Sequence, residues 1–295
     1  LEYLNKYKII KADSEEWARY HAIYRVSNFN EWMSLSFQND IDRYAKADFC
    51  YWITVCEKRI GGAFIKPNML KCVFTIPPFH NYKELIEVLT LYMNDISDKS
   101  NPIVAPDADV KNVEYYRNVG FNLERIEKLM VCPTNEFDIN LEETYKVVTP
   151  NIEHVEAMAK LYFEAYSNNK LPYIASQSYE FQLSNAQIYF NHIKLVNITN
   201  EWSTLVYDTV TNKFIGACIV GFVNGLPYIL DFVVHPEFQR KGIASMMMQR
   251  TLSLLYRSYP AIRLSITEGN DAEEFYDKLG FISLAKTVYM TKCKE

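Results

Sequence analysis

The seven residues Tyr115-Tyr116-Arg117-Asn118-Val119-Gly120-Phe121 return near the carboxy terminus as Phe275-Tyr276-Asp277-Lys278-Leu279-Gly280-Phe281. Each version ends on glycine and phenylalanine, and glycine suits the stop of a short helix because it takes left-handed backbone at no steric cost. Two weaker pairs precede it in the same order: Tyr7-Lys8-Ile9-Ile10 against Tyr145-Lys146-Val147-Val148, and Ile60-Gly61-Gly62-Ala63 against Ile215-Gly216-Ala217-Cys218. Three matches in one order are hard to reach by chance, so the chain reads as one folding unit written twice. Its 295 residues exceed the usual size of a single core, and 49% hydrophobic composition is enough to fill two. The polar, acidic stretch from Pro133 to Glu143 lies between the copies, which places the domains at 1–138 and 139–295.

A net charge of -5 and a pI near 5.7 give no basic field for polyanions, so nucleic acid is not an expected partner. The six cysteines form no C-x-x-C pair, and four of them have apolar neighbours, as small core residues do; a reduced, cytoplasmic protein is expected. No apolar run approaches the length of a spanning helix, so no membrane is expected, and Leu1 to Lys11 lacks the apolar centre of a signal peptide.

The second half reads as strands at Thr204 to Asp208, Phe214 to Val223 and Tyr228 to Val234. A helix from Ile243 to Ser258, a strand from Ile262 to Thr267, a short helix and a strand from Ser283 to Met290 follow. Asn224-Gly225 is a hairpin signal, because both residues tolerate the positive φ of a type I′ turn. A hairpin followed by strand, helix and strand predicts an α/β fold, an α+β mixed sheet with one right-handed parallel crossover. Lys146 and Ile215 are 69 positions apart but Lys8 and Ile60 only 52, so the second half carries 17 extra residues, placed around Ser167 to Trp202. Rich in Asn, Ser and Tyr, this insertion reads either as a functional loop or as a surface excursion.

The loop between the third strand and the helix is Gln239-Arg240-Lys241-Gly242-Ile243-Ala244. Pro236 after His235 ends the strand. The helix that follows offers amide hydrogens without intrahelical partners and the positive end of its dipole, both of which attract an anion. Gly242 removes a side chain where anion oxygens approach, Ala244 keeps the next turn small, and Arg240 and Lys241 add charge at the rim. The Met246-Met247-Met248 run is expected to be core filler, with positions 243, 247, 251 and 254 on one helix side.

The spacing Q-x-x-G-x-A between strand and helix resembles that of the GNAT-type N-acetyltransferases over Val233 to Met248, and the likeness continues in Ala272-x-x-Phe275-Tyr276-x-x-Leu279-Gly280-Phe281. It covers most of residues 145 to 291 and, more faintly, 7 to 130. The resemblance implies two tandem GNAT-like acyl-CoA N-acyltransferase domains and acetyl-CoA as cosubstrate. Its pyrophosphate would lie on Gln239 to Ala244 and its pantetheine arm on backbone groups of Val233 and Val234, where the third strand splays from the next. It also implies that Tyr276 lies near the sulfur, where a phenol can protonate the departing thiolate. The family's asparagine lies seven residues before the tyrosine; here that position is Gly269, with Asn270 one step later.

For the base the candidates are Asp231, which strand alternation places with Ile229 and Val233, and His235, expected to be an exposed turn residue. An amine that loses its proton to water needs neither. No G-x-S-x-G, phosphate-binding GK[ST] loop or paired histidine-carboxylate metal spacing is present, and no metal is expected. In the first half the corresponding segment is Ile76-Pro77-Pro78-Phe79-His80-Asn81-Tyr82-Lys83-Glu84, with neither the glutamine nor the glycine. That copy is expected to keep the fold, with Tyr116 structural, but not the cofactor, and to buttress or cover the acceptor groove of the other. The expected activity is transfer of acetyl from acetyl-CoA to a primary amine. The alternatives are an acyl-CoA-binding or scaffold protein without catalysis and an aminoacyl transferase, which would need a basic groove that the sequence lacks.

Overall fold

The structure, a computed structural model, describes residues 6–26, 36–139, 143–167 and 169–293. Residues 1–5 of the amino-terminal segment and Asn168 of the insertion lie outside the described residues. The first copy runs β1 (Tyr7–Lys11), α1 (Ser14–Tyr24), α2 (Phe37–Tyr44), β2 (Cys50–Val55), β3 (Lys58–Lys66), β4 (Met69–Thr75), α3 (Tyr82–Ile96), β5 (Ile103–Asp109), α4 (Val113–Arg117) and β6 (Asn122–Pro133). The second runs β7 (Tyr145–Val148), α5 (Val155–Tyr166), α6 (Pro172–Ala175), α7 (Tyr179–Val196), β8 (Thr204–Asp208), β9 (Phe214–Val223), β10 (Leu226–Val234), α8 (Ile243–Leu255), β11 (Ala261–Thr267), α9 (Glu273–Lys278) and β12 (Ile282–Lys292). The order is the same apart from the helices between first helix and second strand. The insertion is therefore largely the helix α7 and not a loop. Ser178 caps it by accepting from the amide of Phe181, and Gln182, Ala186 and Tyr189 are buried at helical spacing beneath a polar outer face.

The residues pack into two compact units. The first comprises 1–129, 266–268 and 283–295; the second comprises 130–265 and 269–282. They differ from a single cut after residue 138 in that 130–138 pack with the second unit and the last strand packs with the first. In the first unit the strand order is β1-β2-β3-β4-β5-β12, with β4 and β5 parallel and β12 antiparallel to β5. Val288 and Met290 of β12 are fully buried in that unit's core with Leu85, Leu89 and Phe121. In the second unit the order is β7-β8-β9-β10-β11, antiparallel except for β10 and β11. One face of this sheet packs on α5 and α7 through Leu205, Ala217, Ile219 and Val233.

The repeat extends to hydrogen bonds. After α4 the amide of Phe121 donates to Tyr116 O (3.1 Å), and after α9 that of Phe281 donates to Tyr276 O (3.0 Å). In both copies the intervening glycine has φ of +90, the left-handed helix stop expected of Gly120 and Gly280.

Candidate active site

The hairpin from β9 to β10 turns at Asn224 and Gly225, with φ of +50 and +86 as a type I′ turn requires. Along it, Ile229 pairs with Val220, but Asp231 pairs with Ile219, so Leu230 is an extra residue. This bulge corrects the strand alternation. Val220 and Ile219 point to opposite faces, so Asp231 shares a face with Val233 and not with Ile229. That face is the one covered by α5.

There the hydroxyl of Tyr166 donates to Asp231 Oδ1 at 3.4 Å. The ring of Tyr162 stands 6.2 Å from that of Tyr166. Burial pushes the Asp231 carboxyl up to about 7, against a smaller opposing effect of the Tyr166 hydrogen bond. Sequence reasoning found Asp231 but neither tyrosine. Their only signal was an i, i+4 spacing on a helix whose facing was unknown.

β10 and β11 are in register at Tyr228 and Arg263, near the start of both, with no further paired residues between them among those described. The strands thus part toward their carboxyl ends. Val233 and Val234 lie in that stretch, both buried and both paired with β9 on the other side. The side-chain amide of Gln239 donates to Val234 O (3.1 Å), which folds the loop back onto the strand end and gives the glutamine a structural role.

Arg240 (φ +65) and Gly242 (φ +80) are both left-handed, a backbone pattern that turns successive amides into an anion-binding concavity. Gly242 precedes α8 with no side-chain cap and no acid in the first turn. A Cβ built on it meets no protein atom within 4 Å, so the glycine serves its backbone angle and leaves open space in front of the helix. Arg240 and Lys241 are exposed at the rim, Ile243 is buried, and Ala244 is partly buried. The buried face of α8 comprises Ile243, Met247, Met248, Thr251, Leu252 and Leu255, while Leu254 is exposed, and the helix ends at Leu255.

His235 is buried, against the expectation of an exposed turn residue. Its Nδ1 accepts from the amide of Glu237 (3.2 Å), which leaves the ring hydrogen on Nε2, 3.3 Å from Glu164 Oε2 on α5. The imidazole fastens the strand end to α5, and both its nitrogens have protein partners.

Tyr276 is buried in α9 among Phe232, Phe275 and Phe281. Burial pushes its phenol well above the usual range, so it stays protonated at neutral pH. The same electrostatic neighbourhood joins Tyr166 to both Asp231 and Tyr276. Asn270 turns inward to its own chain: its Oδ1 accepts from the amide of Ala272 (2.9 Å) at the start of α9.

The first copy treats the same places differently. Its parallel strands β4 and β5 are in register at Met69 and Val104. Arg25, just past α1, reaches in to donate to Val73 O on β4 (3.1 Å) and Asp107 O on β5 (2.6 Å), and it pairs with Asp107 Oδ2 (3.0 Å). At the helix start, Asn81 accepts from the amide of Glu84 (3.2 Å) and donates to its carboxylate (2.9 Å), so an acid stands where an anion would have to bind. Tyr116 is fully buried against Phe121.

Residues 201–283 match the family model described as an acetyltransferase (GNAT) domain. That segment of the second copy is thus similar to a GNAT acetyltransferase domain. A solved GCN5-related N-acetyltransferase of Sphaerobacter thermophilus shares the fold with a TM-score of 0.70 at 14% identity, over 98% of this chain and 96% of that one. A tandem GNAT protein from the clavulanic acid biosynthesis pathway does so with a TM-score of 0.64 at 10% identity, over 97% and 98%. Both likenesses are of fold, and they span both copies: the architecture is two tandem GNAT-like domains. An uncharacterized N-acetyltransferase, ycf52, of Pyropia yezoensis is 29% identical over 96 residues, 30% of this chain and 55% of that protein. The match thus spans about half the length of that relative. No helix among the described residues is long and apolar enough to cross a membrane.

Proposed function

We propose that this protein is a GNAT acetyltransferase that transfers the acetyl group of acetyl-CoA to a primary amine by direct attack, with one cofactor site, in its second domain. The observation that carries the reading is the open, uncapped start of α8 behind left-handed Arg240 and Gly242, at the end of the strand that bears Asp231. The pyrophosphate lies on the amides of Gly242 to Ala244, with Arg240 and Lys241 beside it. The pantetheine arm follows β10 past Val234 and Val233, where β11 has parted from it.

Asp231 takes the proton of the incoming ammonium. The freed nitrogen lone pair attacks the thioester carbonyl carbon, the carbon–sulfur bond breaks, the departing thiolate takes the hydroxyl proton of Tyr276, and the acylated nitrogen gives up its extra proton to restore the Tyr276 phenol. A carboxyl near 7 is matched to base work at neutral pH. The proton leaves Tyr276 readily only once sulfur charge develops, because its surroundings favour the neutral phenol. Asn270, held by its own helix, is left out of the cofactor site.

The test is thermal unfolding with and without acetyl-CoA. A ligand at a hundredfold its Kd stabilises by about 2.7 kcal/mol, a rise of several degrees. Gly242→Asn, which tolerates left-handed backbone, and Gly242→Glu are expected to lose that rise. A rise equal to the parent's in both variants removes the site.

A further inference from the structure

Each copy brings one side chain from the carboxyl end of its first helix onto the bulged strand. In the first domain this is Arg25, bonded to Val73 and Asp107; in the second it is Tyr166, bonded to Asp231. The first copy thereby closes its strand gap, whereas the second directs a neutral hydroxyl at a carboxyl. We propose that Tyr166 is a positioning residue for Asp231, its hydroxyl holding the carboxyl on the acceptor side of β10 in the orientation for proton removal. The inference rests on Asp231 being the base.

Three observations support it. The bulge at Leu230 turns Asp231 onto the face of α5, so the contact is a product of strand register. Tyr166 is itself held by Tyr162, whose ring is close by and which is fully buried. Beside the pair stand Tyr162 on α5 and Tyr276 on α9, and beside Tyr162 stand Tyr189 on α7 and Cys218 on β9. None of these is a cation, and burial holds Tyr162, Tyr166 and Tyr276 well above the usual tyrosine range. A hydrogen bond from Tyr166 therefore acts on Asp231 without competition from a positive charge in that set, and it favours the carboxylate.

The experiment is a pH titration of the Asp231 carboxyl carbon by NMR in the full chain labelled at aspartate, with Asp231→Asn assigning the signal. Tyr166→Phe keeps the ring and removes the hydroxyl. The midpoint is expected to rise by about half a unit to one unit, the scale of one ordinary hydrogen bond. A midpoint unmoved or lowered in Tyr166→Phe overturns the role of Tyr166. Release of CoA from acetyl-CoA with spermidine, glucosamine or lysine as acceptor tests the underlying reading separately. If Asp231→Asn turns over as the parent does while the midpoint still moves, Asp231 is not the base and the inference falls with it.

Discussion

Asp231 is a carboxyl whose surroundings oppose its charge, and this has a consequence for stability as well as for chemistry. Its folded pKa, about 7, lies above the 3.8 of an unperturbed aspartate, so the folded state holds the proton more tightly than the unfolded state does. The stability it contributes is therefore complete below about pH 4 and is lost as pH rises through 7. Asp231→Asn removes that dependence. The variant is expected to unfold at a higher temperature than the parent at pH 8, with the difference shrinking toward pH 4, while acetyl transfer falls; calorimetry at both pH values checks it. A difference that is constant across the range would mean that the carboxyl is not the strained group. Asp231, Gly242 and Tyr276 were all legible in the sequence, because each belongs to a local pattern of strand, turn or helix stop. Tyr166 and Arg25 were not. Their roles depend on which helix end meets which strand, and helix spacing leaves that undetermined.

Among the elements, the hairpin, the helix α8 and the short helix with its glycine stop lie where turn and capping residues put them. Two departures have physical causes. The bulge at Leu230 leaves no compositional mark, since an extra residue in a strand is visible only against its partner. The helix α7 was hidden by its Asn, Ser and Tyr content, which reads as loop until Gln182, Ala186 and Tyr189 are seen to share a buried stripe. The last strand carries a prediction of its own. β12 pairs with β5, and its Met290 is fully buried in the first unit's core. Met290→Ala is expected to cost about 2–5 kcal/mol and to lower the unfolding transition of the first unit, although the residue belongs to the second copy in sequence. Urea unfolding followed by tryptophan emission in a Trp202→Phe background reads that transition. A transition left unchanged by Met290→Ala would contradict the assignment of β12.

At the scale of the whole molecule, two copies of one fold differ at the start of the helix and in the gap between the parallel strands. In the first domain, Asn81 and Glu84 cap the helix start with a carboxylate that Lys6 pairs at 3.0 Å, and the Arg25 guanidinium bonds carbonyls of both parted strands. Each feature alone opposes a pyrophosphate and its pantetheine arm. In the second domain the helix start is uncapped, and Gly242 faces open space. The expected stoichiometry is one acetyl-CoA per chain, measured by calorimetric titration, falling to none in Gly242→Asn. Arg25→Met is expected to leave it at one, because opening the gap between β4 and β5 does nothing to the charge at the start of α3. It is also expected to destabilise the first domain, since it removes the donor of Val73 O and Asp107 O and leaves the Asp107 carboxylate to the Cys72 amide. Two molecules bound by the parent would show that the first domain has kept a cofactor site, and none would remove the acetyl-CoA reading of the second. A second molecule gained only in Arg25→Met would mean that the guanidinium alone keeps the first site closed.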